Sequence, residues 1–129
     1  MNKWILSLVA ALYGGIGVHM WLAPLHWYTI TPGVAMMGPY NAHFVRDIAL
    51  IFLVSAAALA WGGWKQDRTA GVIGAAWPCL HALFHVWIWA TMRQMALDHV
   101  ALVNLLGIQA PAWLALWAAF NIHDRRTGT

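Results

Sequence analysis

The charged residues of this chain fall in short clusters that separate four long uncharged segments. Charged residues make up 9% of the 129 residues, and Glu is absent. The uncharged segments cover residues 4–45, 48–64, 69–92 and 99–123. A helix of about 20 apolar residues crosses a bilayer core about 30 Å thick, and only helices and closed barrels satisfy all their backbone polar groups in lipid. The pattern predicts an all-α integral membrane protein, a bundle of four transmembrane helices.

The four predicted helices and their short connections account for the whole length of the chain. We place them at residues 4–23, 43–62, 69–91 and 98–122. This leaves no room for a second domain, so residues 1–129 are interpreted as a single transmembrane domain. The first apolar run continues well past the length of a signal-peptide core and is not followed by an A-x-A site. We therefore expect it to be an uncleaved first helix.

The lysine and arginine residues predict the orientation of the bundle. Five cations fall on one side of four alternating helices: Lys3, Lys65, Arg68, Arg125 and Arg126. On the other side, Arg46 and Arg93 are offset by Asp47 and Asp98. The positive-inside rule then places both termini in the cytoplasm, and we expect a multi-pass protein of the bacterial inner membrane. The net charge of +3 favours lipid headgroups as partners and gives no sign of nucleic-acid binding.

The longest connection and the small residues of the spans carry further predictions about packing. Residues 24–42 are uncharged and are interrupted by Pro and Gly, so we expect a cap over the bundle that is not one regular element. Asn41 is a candidate N-cap of the second helix. Gly71 and Gly74 are expected to face a neighbouring helix, because small residues allow helices to approach closely in lipid. Pro78 and Pro111 are expected to kink their helices.

Most of the polar side chains that could bind a metal fall in the predicted outer half of the bundle. They are His19, His26, His43, Asp47, His81, His85, Asp98 and His99. Two pairs have i,i+4 spacing, His43 with Asp47 and His81 with His85, so each pair lies on one face of its helix. At about 1.5 Å rise per residue the two pairs overlap in depth. The spacing predicts one metal site of His43, Asp47, His81 and His85, with His19 and Asn104 as second-rank candidates that could support it.

The residue types favour certain metals, and other roles are open. Imidazole with one carboxylate suits copper, zinc or non-haem iron, and nearby Met residues together with an outward position favour copper. Haem b is the competing cofactor, with His43 or His19 on one side of the iron and His81 or His85 on the other. A purely structural role is the alternative for Asp47, which could pair with Arg46, Arg93 or a histidine.

Two short motifs resemble a pattern in a family of small bacterial membrane proteins. The run NAHFVRD at residues 41–47 opens the second helix, and HALFH at residues 81–85 lies in the third. These runs are similar to the N-x-H-F-x-R-D and H-A-x-x-H motifs of small four-span inner-membrane proteins that carry no established activity. The resemblance implies the four-helix fold, and it implies neither a reaction nor a substrate.

Three functional hypotheses follow. The first is a membrane protein that binds a metal, with copper favoured. The second is a non-catalytic accessory subunit of a larger membrane complex of the respiratory or monooxygenase type, whose partners are other membrane subunits or further copies of itself. The third is a small haem b protein. The sequence contains no nucleophile–base pair, no phosphate-binding loop and no inner proton path, so it gives little support to a hydrolase or a transporter. It leaves open whether the protein is an enzyme.

The orientation can be tested with reporter fusions. A reporter active only in the cytoplasm should be active when fused after Thr129 and inactive when inserted in the first connection, because the cations cluster on the side of the termini. A reporter active only in the periplasm should give the opposite pattern. Periplasmic activity at the C-terminus would overturn the predicted orientation.

Overall fold

The computed structural model describes residues 2–122, which are helical or in short turns and contain no strand. In chain order the elements are α1 (Asn2–Leu22), α2 (Pro24–Ile30), a 3-10 turn (Val34–Met36), α3 (Ala42–Lys65), α4 (Arg68–Thr91), α5 (His99–Asn104), a π-helical turn (Leu105–Gln109) and α6 (Ala110–Phe120). Among the residues considered above, Arg125, Arg126 and Thr129 lie outside this range.

Four helical spans are long and apolar enough to cross a membrane, which confirms the predicted fold. They are α1, α3, α4 and a fourth span, His99–Phe120, that α5, the π-helical turn and α6 form together. The predicted boundaries agree with the structure to within a few residues. In the connections, Asn41 accepts a hydrogen bond from the backbone N–H of Phe44 at 3.1 Å, as expected of the N-cap of α3.

The spans pack as an up-down-up-down bundle around a core of small and aromatic side chains. Each span contacts the next in the order α1, α3, α4, α6, and α6 returns to α1. The main core cluster holds Leu6, Tyr13 and Leu59 together with several alanines, among which Ala115, Ala118 and Ala119 are fully buried. In α6, the part of the fourth span nearest the chain termini, five residues are buried, whereas α5 and the π-helical turn have none. The bundle is therefore closed at one end and more open at the other.

Glycines set the spacing between helices at the closed end. A Cβ placed on Gly74 would lie 2.8 Å from the backbone nitrogen of Leu59, and one on Gly71 would lie 3.0 Å from Cβ of Ala119. A Cβ on Gly62 would lie only 2.6 Å from the backbone nitrogen of Gly71. These distances confirm that Gly71 and Gly74 face neighbouring helices, where only hydrogen fits between the backbones.

The cations Lys3, Lys65 and Arg68 lie at one end of the bundle, on aromatic rings. The ammonium group of Lys65 lies 4.1 Å from the ring centre of Trp64, and the guanidinium of Arg68 lies 5.2 Å from that of Phe120. Lys3 shares this end, because its carbonyl oxygen is next to Gly63 of α3. Such basic and aromatic pairs are typical of a membrane interface. That this end is cytoplasmic stays a prediction.

The first connection covers the other end of the bundle and, as predicted, is not one regular element. It contains the short helix α2, the 3-10 turn and non-helical residues. Trp27 of α2 packs against Met20 and Val45. Further along, Gly33 has a φ of 87°, and a Cβ there would lie 2.7 Å from a methyl carbon of Val100 in α5. The connection therefore reaches from α1 and α3 across to the fourth span.

The role of Gly74 can be measured against a matched glycine. Gly74→Ala should lower the free energy of unfolding by about 1–3 kcal/mol, because the new methyl group meets the backbone of α3. Gly15→Ala is the control, since nothing lies within 4 Å of a Cβ at that position. It should be neutral or stabilising by up to about 1 kcal/mol, as Ala favours helix over Gly. Equal unfolding of the two variants in detergent would contradict the close packing of α3 and α4.

Candidate functional site

The first predicted pair, His43 and Asp47, lies on the outward side of α3. Nδ1 of His43 is 2.9 Å from Oδ2 of Asp47, and the two side chains are 86% and 56% exposed. The neighbouring arginine does not contribute, because Nε of Arg46 donates to the carbonyl oxygen of Trp21 at 3.3 Å. The partner of Asp47 is therefore a histidine on its own helix, and the pair points away from the bundle.

The second predicted pair, His81 and His85, lies partly buried on α4. The centres of the two imidazole rings are 4.5 Å apart with the rings edge to face, and His81 stacks on Trp77 at 4.8 Å. Trp77 in turn meets Phe52 of α3 edge to face. His81 also lines a small cavity at the centre of the bundle, together with Tyr13, Phe52, Trp77, Pro78, Gly107 and Ile108. This pair faces the interior.

The structure does not bring the four predicted ligands, His43, Asp47, His81 and His85, together. Within residues 2–122, no three side chains from His, Cys, Asp and Glu are grouped so that they could hold one metal ion. The physical reason is the rotation of α3 about its axis. Spacing of four residues puts His43 and Asp47 on a common face, but packing turns that face outward while the face with His81 and His85 turns inward. The two pairs overlap in position along the bundle axis, but they lie on faces that do not meet.

The second-rank residues His19 and Asn104 have different neighbours. Nε2 of His19 is 2.9 Å from Nδ1 of His26, which ties the end of α1 to α2. In contrast, the side-chain nitrogen of Asn104 lies 3.5 Å from Nδ1 of His85, a long hydrogen bond. Asn104 thus contacts the interior pair from the fourth span, and His19 belongs to the cap.

A chain of hydrogen bonds continues from Asn104 across the π-helical turn. Nε2 of Gln109 donates to the side-chain oxygen of Asn104 at 3.1 Å and to the carbonyl oxygen of Ala82 at 2.7 Å. The indole N–H of Trp113 donates to Oε1 of Gln109 at 3.1 Å. Asn104 and Gln109 are five residues apart, the spacing of hydrogen-bonded residues in a π-helix, so the turn brings both amides to one face. This series of hydrogen bonds links α4 to the fourth span through side chains.

Sequence analysis missed Gln109, Trp77, Trp113 and Tyr13 as members of this region. Gln109 carried a usable signal, because an amide inside an apolar span needs a hydrogen-bond partner. The π-helical turn precedes Pro111, whose ring crowds the carbonyl four residues earlier and which has no N–H to donate. We predicted a kink at Pro111, and the structure has this wider turn at that point.

Asp98 and Arg93 form an ion pair at the open end of the bundle, outside the spans. The carboxylate of Asp98 caps α5 by accepting from the backbone N–H of Ala101 at 3.0 Å, and the guanidinium of Arg93 lies against it. These two contacts, the backbone hydrogen bond first, hold the pKa of Asp98 below its usual range. This pair fixes the connection between α4 and the fourth span.

Comparisons with known proteins assign the chain to no family and give it no function. No family model, no curated protein and no solved structure matches the chain. The resemblance to small four-span bacterial proteins therefore stays a prediction.

Gln109 should be more important for stability than its apolar neighbours in the same turn. Gln109→Met removes three hydrogen bonds, of which the one to Ala82 joins two spans, and should lower the free energy of unfolding by about 1–2 kcal/mol. Leu106→Met is the control, because Leu106 is 62% exposed and the change should cost less than about 1 kcal/mol. Unfolding of both variants in mixed detergent measures the difference. No difference would mean that the amide chain does not hold the spans together.

Proposed function

We propose that this protein binds a small ligand or cofactor inside the membrane, with His81 and His85 at the centre of the site. The observation that carries the proposal is the pair of imidazole rings, 4.5 Å apart, within a helix that is apolar enough to cross a membrane. Inserting titratable side chains into a bilayer costs free energy, and in membrane proteins such residues mark binding sites or transport paths. Apolar residues could fill the same space at a lower free energy of insertion, so packing alone does not explain the two histidines.

Two features of the surroundings support this proposal. The π-helical turn lies beside the pair, and π-helical turns occur frequently at functional sites. The half of the fourth span that faces His85 has no buried residue, so this side of the bundle is loosely covered. A ligand dissolved in the bilayer could reach the histidines from there.

The predicted cofactors stay predictions for this site. Copper would find two imidazole ligands in His81 and His85 and would need water or a donor from a partner to complete its coordination; zinc and non-haem iron would need the same. Haem b requires a second axial ligand on a facing helix. The histidines expected there, His19 and His43, instead contact His26 and Asp47.

The second candidate function is that of an accessory subunit in the bacterial inner membrane. The exposed His43–Asp47 pair favours it, because an intramembrane or interfacial carboxylate that points outward gains most when a partner chain covers it. Other membrane subunits or further copies of this chain would be the partners. Under this hypothesis the His81–His85 pair is a link between spans and binds nothing.

Binding by detergent-purified protein tests the proposal directly. The probes are copper, zinc and ferrous ions, haem b and a decyl-tailed ubiquinone analogue, each followed by equilibrium dialysis or a visible spectrum. At least one probe should bind stoichiometrically to the wild type and be lost from His81→Ala and His85→Ala, because each variant removes half of the pair. His99→Ala, an exposed histidine outside the site, is the control and should bind normally.

Circular dichroism should show equal helix content for all three variants, so that loss of binding does not reflect unfolding. If no probe depends on His81 or His85, the proposal fails. The accessory-subunit hypothesis would then take its place.

A further inference from the structure

The hydroxyl group of Tyr13 is buried at the centre of the bundle without a hydrogen-bond partner from the residues described. Tyr13 belongs to α1 and is only 2% exposed. Its ring packs on Phe52 of α3, with the ring centres 5.4 Å apart. Within residues 2–122, no residue forms a hydrogen bond with this hydroxyl, yet no polar side-chain atom is sealed off without a partner. The hydroxyl oxygen therefore borders a space that a water molecule can enter.

This space is the small cavity that Tyr13 and His81 line together. Its volume open to water is about 10 Å³, and a cavity of about 10–15 Å³ on this scale holds one water molecule. Most of the wall is apolar and comes from Phe52, Trp77, Pro78 and Ile108. The cavity therefore has room for a single water molecule and excludes a larger ligand.

His81 brings a second polar side chain to the wall of this cavity. One face of its imidazole ring stacks on Trp77, with 13° between the ring planes. The two nitrogens lie on the edge of the ring, and neither forms a hydrogen bond with another residue of the described range. A neutral imidazole offers one donor and one acceptor, and a hydroxyl group also offers both. The cavity is thus lined by two side chains that can each donate or accept.

Polar partners decide whether a cavity of this size holds water, because purely apolar cavities stay dry. We propose that one water molecule binds here, hydrogen-bonded to the hydroxyl of Tyr13 and to a ring nitrogen of His81. Water can donate to one group and accept from the other, so it fits either tautomer of His81. The bilayer core supplies no other partner for these groups. The water connects α1 to α4, two spans that lie diagonally across the bundle.

The sign of the effect of Tyr13→Phe on stability tests this inference. The substitution removes the hydroxyl and keeps the ring. If the hydroxyl holds a water, the equilibrium constant of unfolding in mixed detergent should rise about fivefold, because a hydrogen bond is lost. In a dry cavity the substitution would remove an unpaired polar group, so an unchanged or lower constant would overturn the proposal. Tyr40→Phe is the control and should change nothing, since Tyr40 is 37% exposed and its hydroxyl bonds to no described residue.

A second substitution measures whether His81 shares the water. His81→Phe keeps a ring that can stack on Trp77 and removes both nitrogens. In this background Tyr13→Phe should raise the unfolding constant less than about twofold, because the bridge is already broken. An undiminished effect would mean that the hydroxyl has another partner, and it would overturn the bridge. His81→Leu replaces His81→Phe if circular dichroism shows that the latter does not fold.

A crystal structure in lipidic cubic phase, at a resolution that shows ordered water, locates the bridge directly. One density peak should lie about 2.6–3.2 Å from Oη of Tyr13 and from a ring nitrogen of His81. A direct bond between the two side chains, or a cavity without density, would overturn the proposal. None of these measurements depends on ligand binding by the His81–His85 pair, so this inference and the proposed function can fail separately.

Discussion

Every backbone N–H and C=O of the spans must find a partner within the protein, because the bilayer core offers none. This requirement makes the spans helical and concentrates irregular backbone at their ends, where Asn41 and Asp98 accept hydrogen bonds from the first turns. The one irregular stretch inside a span is the π-helical turn, and it is still a closed hydrogen-bonded structure. It accommodates Pro111, which has no backbone N–H to donate. It also brings Asn104 and Gln109 to one face.

Helix packing in lipid lacks the hydrophobic driving force of water-soluble proteins, so close contact has to supply the attraction. At the closed end, glycine and alanine provide it, as the contacts of Gly62, Gly71 and Gly74 show. The half of the fourth span at the open end has no such face, and Gln109 and Asn104 join it to α4 through side-chain hydrogen bonds. Because the packing is looser at this end, the His81–His85 pair is only partly buried.

The polar groups of the open half separate into sets with different surroundings. The His43–Asp47 and Arg93–Asp98 pairs lie at the open end of the bundle, near the ends of their helices. The His81–His85 pair lies inside, where uncharged amides and aromatic rings surround it. Hydrogen bonds are directional, so the indole N–H of Trp113 orients the amide of Gln109, which in turn orients that of Asn104.

The sequence by itself determined the four helices, their approximate ends, the cap of α3 and the small residues between spans, because hydrophobic length, capping chemistry and side-chain size are local properties. It also selected Asn104 as a candidate neighbour of the predicted metal site, since depth along a helix follows from residue number. Only the tertiary structure decided which way α3 turns His43 and Asp47, because the angle of a helix about its axis depends on packing against every neighbour. The π-helical turn is a mixed case. Pro111 favours irregular backbone there, but contact with α4 decides where the amides of Asn104 and Gln109 point.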